Sequence, residues 1–441
     1  MPGPDLPTAG EKQRPTGASL EASMTSRERV LAAIAHREPD RVPVDLGSTP
    51  SSGISATAYA RVRKLLGIRG GHVRVYDVVQ QVAQPEPWAL DRFGIDVVDL
   101  GRTFNTRDED WYDVVLASGE PAQYPVWFHP EAQADGSWNV HHRDGTLIAR
   151  MPAGAAFFDE TCFPYADGWP PDWAALDEAM GKVLWAALVH SPWDNAGRPD
   201  FWQTMRANAL RLRAETDRAI MVVVGCNLFE WGTFLRRLDN FLVDILLEPE
   251  KVEGLLDALM ERHLVTLAKV CDHLGDVVDV IRFGDDLGTD QGPFMQPEVY
   301  RRLFKPRHRR LCEYTHAHSR MHTYLHSCGS IDQVLPDLIE AGFEIINPVQ
   351  TSCRGMEPER LKREFGRDVV FWGGGVDTRT VLNSGSPADV RRQVLERIEI
   401  FSRGGGYVFN TVHNILPDVP PANVVAVFEA VAEFNGAGGR G

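Results

Sequence analysis

The sharpest chemical signal in the chain is His326-Ser327-Cys328-Gly329. On an extended strand, residues i and i+2 point to the same side, so this spacing turns an imidazole and a thiol toward one pocket. Both are good zinc ligands, at roughly 2.0–2.1 Å for nitrogen and 2.3 Å for sulfur. His413, at the end of the last apolar run, supplies a third ligand from across the same rim. Three protein ligands with an open fourth position are the pattern of a catalytic zinc rather than a structural one. The bland alternative is a packed cysteine beside a hydrogen-bonded core histidine. It accounts for the HxC pair alone, but less well for that pair with His413 and several carboxylates at the same strand ends.

Those carboxylates are Asp285, Asp286 and Glu230. Close like charges push one pKa upward, so one of the Asp pair is expected to accept a proton or orient a substrate. The competing role for an aspartate there is to cap the following turn. Glu230 is a candidate base or fourth zinc ligand, and Cys353, in the loop after Gln350, is a competing ligand kept outside the primary set. Asn227, Gln350 and Asp377 complete the expected substrate-binding group. The glycine runs Gly373–Gly375 and Gly404–Gly406 lack the spacing of a phosphate loop.

Eight short apolar runs must position these residues: Pro43–Gly47, Ile95–Gly101, Met221–Cys226, Asp279–Asp286, Met321–Gly329, Glu344–Gln350, Asp368–Asp377 and Tyr407–Asn414. Near-continuous β-branched runs without alternation suit strands buried on both faces of a parallel sheet. Helical patterns separate the later runs: Asn240–Leu274, Pro297–Ala317, Ile331–Ala341, Pro358–Phe365 and Pro387–Phe401. Strand–helix alternation with about eight strands predicts a (β/α)8 TIM barrel. In that fold the C-terminal strand ends build the active site, and the polar candidates stand at those ends. Thr25 and Glu28 have the spacing of a capping box for a first helix.

Two segments depart from the alternation. Residues 1–23 are rich in Pro, Gly, Ala and Ser and read as a disordered leader before a barrel spanning 24–441. About 102–200 is rich in Trp, Pro and Gly, with hairpin signals at Asp135-Gly136 and Asp144-Gly145. It reads as an aromatic-rich insertion over one barrel mouth. Its Trp111, Trp127, Phe128, Trp138, Phe157 and Phe158 are expected to form its own small core more often than a substrate pocket.

Composition excludes whole classes. With 46 Lys+Arg against 61 Asp+Glu the 441-residue chain carries −15, so no basic surface awaits nucleic acid. No apolar run approaches the roughly 20 residues of a membrane span, and six unpaired-looking cysteines make no disulfide scaffold. A cytoplasmic location is the expectation.

Several segments, in order, carry a family likeness: RERVLAAIAHREPDRVPVDLG, FGDDLG, FKPRHRRL, HSCGSI, VLPDLIEAG, INPVQ, FWGGGVDT and HNILPDVPPANV. Together they resemble the uroporphyrinogen decarboxylase superfamily, most closely its cobalamin-dependent methyltransferase and demethylase branch. The likeness runs from Thr25 to Phe434 and implies a (β/α)8 barrel. It also implies zinc held by His326, Cys328 and the residue before a P-x-[TV]-P segment, here His413 before Pro417-Asp418-Val419-Pro420. Coenzyme M methyltransferases usually have cysteine at that third position. One thiolate in place of two leaves the zinc one unit more positive, a stronger Lewis acid for an ether or alcohol oxygen.

The implied activity is methyl transfer between a small methylated substrate, such as a methoxylated or methylamine-type compound, and a corrinoid. No corrinoid-binding DxHxxG segment is present, so the corrinoid is expected on a partner protein. The alternative is a decarboxylase of a tetrapyrrole or other acid. Against it, Pro43–Tyr59 has no arginine where that activity would need several. A non-catalytic corrinoid-binding module is the third reading.

Overall fold

The computed structural model describes residues 23–185 and 190–438. The expected leader, apart from Ser23, lies outside the described residues.

Seven parallel strands follow one another in the order of the chain: β1 (Val97–Asp99), β2 (Ala219–Gly225), β3 (Val280–Gly284), β4 (His322–His326), β5 (Ile345–Asn347), β6 (Val370–Trp372) and β7 (Tyr407–Val408). The segment Pro43–Asp45 closes the ring. On one side Phe409 N–H donates to the Pro43 carbonyl and Asp45 N–H to that of Phe409, each at 2.8 Å. On the other, Asp96 N–H donates to the Val44 carbonyl at 2.8 Å. The result is the eight-membered α/β barrel that the spacing of the apolar runs predicts.

Helix α1 (Ser26–Ile34) plugs the N-terminal end of this barrel. Thr25 and Glu28 form the expected capping box. Val30, Ala33 and Ile34 of α1 pack against Val97, Ala219, Met221, Tyr324 and Trp372 of the strands. Ion pairs pin the plug: buried Asp96 accepts from Arg29 at 2.7 Å and Arg41 at 2.8 Å, and Asp279 accepts from Arg27 at 2.7 Å. With one end sealed, the chemistry is confined to the other.

Two helices expected to be continuous are each broken. Leu238–Leu247 gives way to Pro249–Leu274, and Pro297–Leu303 to Lys305–His318. Pro249 and Pro306 cause the breaks, since a proline in a helix interior lacks the N–H its turn needs but suits a first turn.

Between β1 and β2 the chain leaves the alternation. Trp111–Val115 pairs with Pro121–Pro125, and four short antiparallel strands between Glu131 and Glu160 form a second small sheet. Gly136 (φ +82°) and Gly145 (φ +86°) sit at the two hairpin turns, in the left-handed conformation that glycine adopts freely. Trp111, Phe128 and Phe158 are buried and Trp138 half-buried. Phe128 stacks edge-on with Phe158 at 5.7 Å. Phe157 alone of the six faces the cavity described below, and Trp127 is partly exposed, its indole N–H donating to Asp194 at 3.0 Å. No helix among the described residues is long and apolar enough to cross a membrane.

Candidate metal centre

At the open end of the barrel, His326 ends β4 and Cys328 is the second residue of the loop that follows. One ligand atom each from His326, Cys328 and His413 lies within 4.8 Å of the other two. His326 Nε2 and Cys328 Sγ are 3.4 Å apart. Two ligands of a tetrahedral zinc, at the usual bond lengths, stand about 3.5 Å apart. Gly329 (φ +85°) lets the Cys328 loop close down: a Cβ there would meet the Gly288 backbone at 2.3 Å. That contact brings Cys328 beside Asp286, whose Oδ1 accepts the Cys328 N–H at 2.9 Å.

Both histidines are oriented by an asparagine. His326 Nδ1 stands 2.6 Å from Asn347 Oδ1, and Asn347 Nδ2 donates to the Trp372 carbonyl at 2.8 Å. The amide is therefore fixed with its oxygen toward the ring, so the proton sits on Nδ1 and the Nε2 lone pair faces Cys328. Asn414 does the same for His413: Oδ1 is 3.0 Å from Nδ1, and Nδ2 donates to Gln80 Oε1 at 2.9 Å. Burial lowers the pKa of His413 and takes that of His326 down to about 3, so both rings are neutral. Burial, then the nearby Asp286 and Glu230 carboxylates, pushes the Cys328 thiol well above its ordinary value. A thiolate at this position requires a cation beside it, and a bound dication deprotonates such a thiol outright.

A cavity of about 220 Å³ adjoins the triad, lined by Asn227, Glu230, Asp286, Arg282, His326 and His413 among others. Glu230, on α2 (Phe229–Arg236), accepts from Asn227 Nδ2 and, at 3.2 Å, from Asp286 N–H. Burial, then Asp286 and Asp285, raises its pKa to about 8, so Glu230 holds a proton at neutral pH. Asp286 Oδ1 is 3.7 Å from His326 Nε2 and is the carboxylate nearest the triad's open side.

The remaining candidates stand apart. Asp285 is fully buried, and its carboxylate accepts the N–H groups of Leu228, Phe229 and Glu230 at 2.9–3.2 Å. His308, on α3 (Lys305–His318), reaches it at 3.2 Å. Asp285 thus caps α2 from a neighbouring strand and does not line the cavity. Gln350 accepts the Gly329 N–H at 2.8 Å and so holds the Cys328 loop. Asp377 accepts from Arg379 and Thr380 N–H in its own turn. Cys353 faces Asp290 at 3.5 Å and is not among the triad.

Besides Asn414, three residues outside the expected set belong to the site. Asn347 orients a ligand, Ser51 Oγ stands 3.4 Å from His326 Nε2, and Arg282 lines the cavity from inside the barrel. A lone arginine within the apolar run Asp279–Gly284 is the signal for the last, since arginine is rarely buried without a purpose.

Comparison with known proteins agrees with this architecture. Residues 226–434, which carry all three candidate ligands, match the uroporphyrinogen decarboxylase (URO-D) family model. This segment, a little under half of the chain, is similar to the URO-D family domain. Relatives include a uroporphyrinogen decarboxylase of Methylococcus capsulatus, 32% identical over 103 residues, which are 23% of this chain and 27% of that protein. Another, from Pseudoalteromonas translucida, is 39% identical over 74 residues, 17% of this chain and 20% of its own. The chain thus matches only about a quarter of these curated relatives' length. Over the whole fold it is similar to a methyltransferase from Methanosarcina mazei, with a TM-score of 0.56, 18% identity, 93% of this chain and 99% of that one covered. At that identity the likeness speaks for the barrel alone.

Proposed function

We propose that this protein belongs to the URO-D family and is a zinc-dependent methyltransferase that moves a methyl group between a small methylated substrate and a corrinoid carried by a partner protein. The observation that carries the reading is the triad itself: neutral, oriented His326 and His413 converging with Cys328 beside a small cavity. The donor set fits zinc in atom type and spacing, and protein atoms leave the cavity side open. When bound there, zinc supplies Lewis-acid activation of the substrate heteroatom that loses or gains the methyl group.

The protein's own groups divide the remaining work. Asn347 and Asn414 hold both imidazoles in the ligating tautomer. Glu230, protonated at neutral pH and facing the cavity, donates a proton to the heteroatom left when a methyl leaves, and takes it back in the reverse direction. Asp286 holds the Cys328 loop through the Cys328 N–H and presents its carboxylate to the open side of the triad. Asn227 holds Glu230 in place. A cavity of about 220 Å³ admits a small substrate but not a corrin or porphyrin macrocycle. The corrinoid is therefore a second substrate, met at the cavity mouth.

The size of the cavity also weighs against a tetrapyrrole decarboxylase, the activity in the curated relatives' names. The test is methyl transfer from methoxylated and methylamine-type compounds to reduced cobalamin, followed by the absorbance change of the corrinoid. Turnover abolished by a zinc chelator and restored by zinc supports the reading. Turnover indifferent to chelation, or decarboxylation of an added acid by chelated protein, contradicts it.

A further inference from the structure

Arg282 lines the cavity and takes no part in the proposed chemistry. It sits mid-way along β3, between buried Ile281 and Phe283, and extends into the barrel mouth. Its Nη2 donates to Ser51 Oγ at 3.3 Å, and Ser51 Oγ lies 3.4 Å from His326 Nε2. The guanidinium thus stands two hydrogen-bond lengths from a candidate ligand nitrogen. Its Nε–H is buried without a hydrogen-bond partner, and among the described residues no carboxylate comes within ion-pairing distance of it.

An arginine cannot shed its proton to relieve that position. The residue as a whole is half-buried, but its Nε–H is fully buried and lacks the partner that buried polar groups have as a rule. The acids of the same cavity are engaged elsewhere: Asp286 with the Cys328 N–H, Glu230 with Asn227 and the Asp286 N–H, Asp77 with the Gln80 N–H at 2.8 Å. The missing partner is therefore a ligand group. A planar monoanionic carboxylate matches the guanidinium fork, and it brings less negative charge than a phosphate dianion into a cavity already lined by Asp286 and Asp77. The cavity also has an aromatic lining: Phe157 and Trp185, packed edge-on at 6.1 Å, and Phe234. Such a surface accepts the face or edge of an arene.

We infer that Arg282 binds the carboxylate of the substrate, and that the substrate is a small methylated aromatic monoacid lying between Arg282, the aromatic lining and the triad. The inference rests on the methyltransferase reading for the methyl group, but not for the carboxylate or the ring.

The experiment is calorimetric titration of the full chain, zinc-loaded and chelated, with the three isomeric methoxybenzoates, each beside its neutral methoxybenzamide. Arg282→Gln is titrated alongside, with zinc content and circular dichroism recorded for both proteins. At least one acid is expected to bind roughly tenfold or more tighter than its amide, and Arg282→Gln to bring the pair within about twofold at unchanged zinc content. No acid preference for any isomer, including no binding at all, overturns the inference, as does a preference that survives Arg282→Gln. If that variant does not fold, Arg282→Lys replaces it: a point charge without the fork weakens acid binding several-fold, and undiminished binding is contradictory. Loss of the zinc reading shows separately, as protein without zinc that still prefers the acid.

Discussion

Asn347 and His326 form a donor–acceptor pair at 2.6 Å in which the asparagine, itself anchored to the Trp372 carbonyl, decides which imidazole nitrogen is free. The pair lies across β5 and β4, joined in register at His326 and Asn347. Two adjacent barrel strands therefore set the tautomer before any metal arrives. Removing the oxygen while keeping the volume, as in Asn347→Leu, is expected to weaken zinc binding by about 10–100-fold. Competition with a chromophoric chelator measures this. Unchanged affinity would mean that the ring needs no such support.

Asp285 has a different consequence. Its carboxylate serves three backbone N–H groups at the start of α2 and faces His308. Asp285→Ala leaves these donors buried and unpaired, and is expected to cost about 3 kcal/mol of stability. Urea unfolding of the two proteins reads the difference. Zinc content of the folded variant stays near that of wild type, because the Asp285 side chain touches no ligand of the triad and its backbone N–H bond to the His326 carbonyl, at 2.9 Å, survives the substitution.

The neighbouring Asp pair also shows where the sequence stops being informative. Both aspartates end the same apolar run, and their adjacency says that they face different ways without saying which one enters the cavity. The barrel itself was legible, because β2 and β3 are apolar along nearly their whole length and each polar cluster follows such a run. His326 was legible as a strand end, but Cys328 lies in the loop beyond the strand and is brought beside it by the Gly329–Gly288 contact and the Asp286 carboxylate. Asn347 was not legible, since its role depends on which strand lies beside β4. Gln350 and Asp377 looked like ligand contacts at strand ends, yet their side chains are taken up by nearby N–H groups. Arg282 was visible as a charge inside an apolar strand, but its value depends on Ser51, which arrives from the far end of the chain order.

A pH-dependent term comes from Asp99, at the end of β1. Burial lifts its pKa to about 7, and its Oδ1 has no hydrogen-bond partner. The folded state therefore keeps a proton that the unfolded chain releases near pH 4. Between those values the native state binds more protons than the unfolded one, so this term lowers stability as pH rises from about 4 to about 7 and is constant above. Asp99→Asn, which keeps the shape and removes the charge, should gain on wild type by up to a few kcal/mol across that window. Chemical denaturation at pH 5 and pH 8 tests the sign. A variant that loses stability at pH 8 relative to pH 5, compared with wild type, contradicts it.

At the sealed end, Asp96 is buried between Arg29 and Arg41. Asp96→Ala removes one of the two carboxylates that hold Arg29, which keeps Asp40, and the ion-pair partner of the partly exposed Arg41, and is expected to cost about 2–3 kcal/mol. Thermal melts should show the loss, with zinc affinity of the folded fraction unaltered because the triad lies at the opposite end of the barrel.

The central claim is that His326, Cys328 and His413 hold one zinc ion. It is tested most directly by elemental mass spectrometry of protein purified without chelator and dialysed against trace zinc, wild type beside Cys328→Ala. About one zinc per chain in the wild type, lost in a variant with an unchanged circular dichroism spectrum, is the predicted result. Folded wild-type protein that retains no zinc, or a Cys328→Ala variant that retains it fully, would contradict the account.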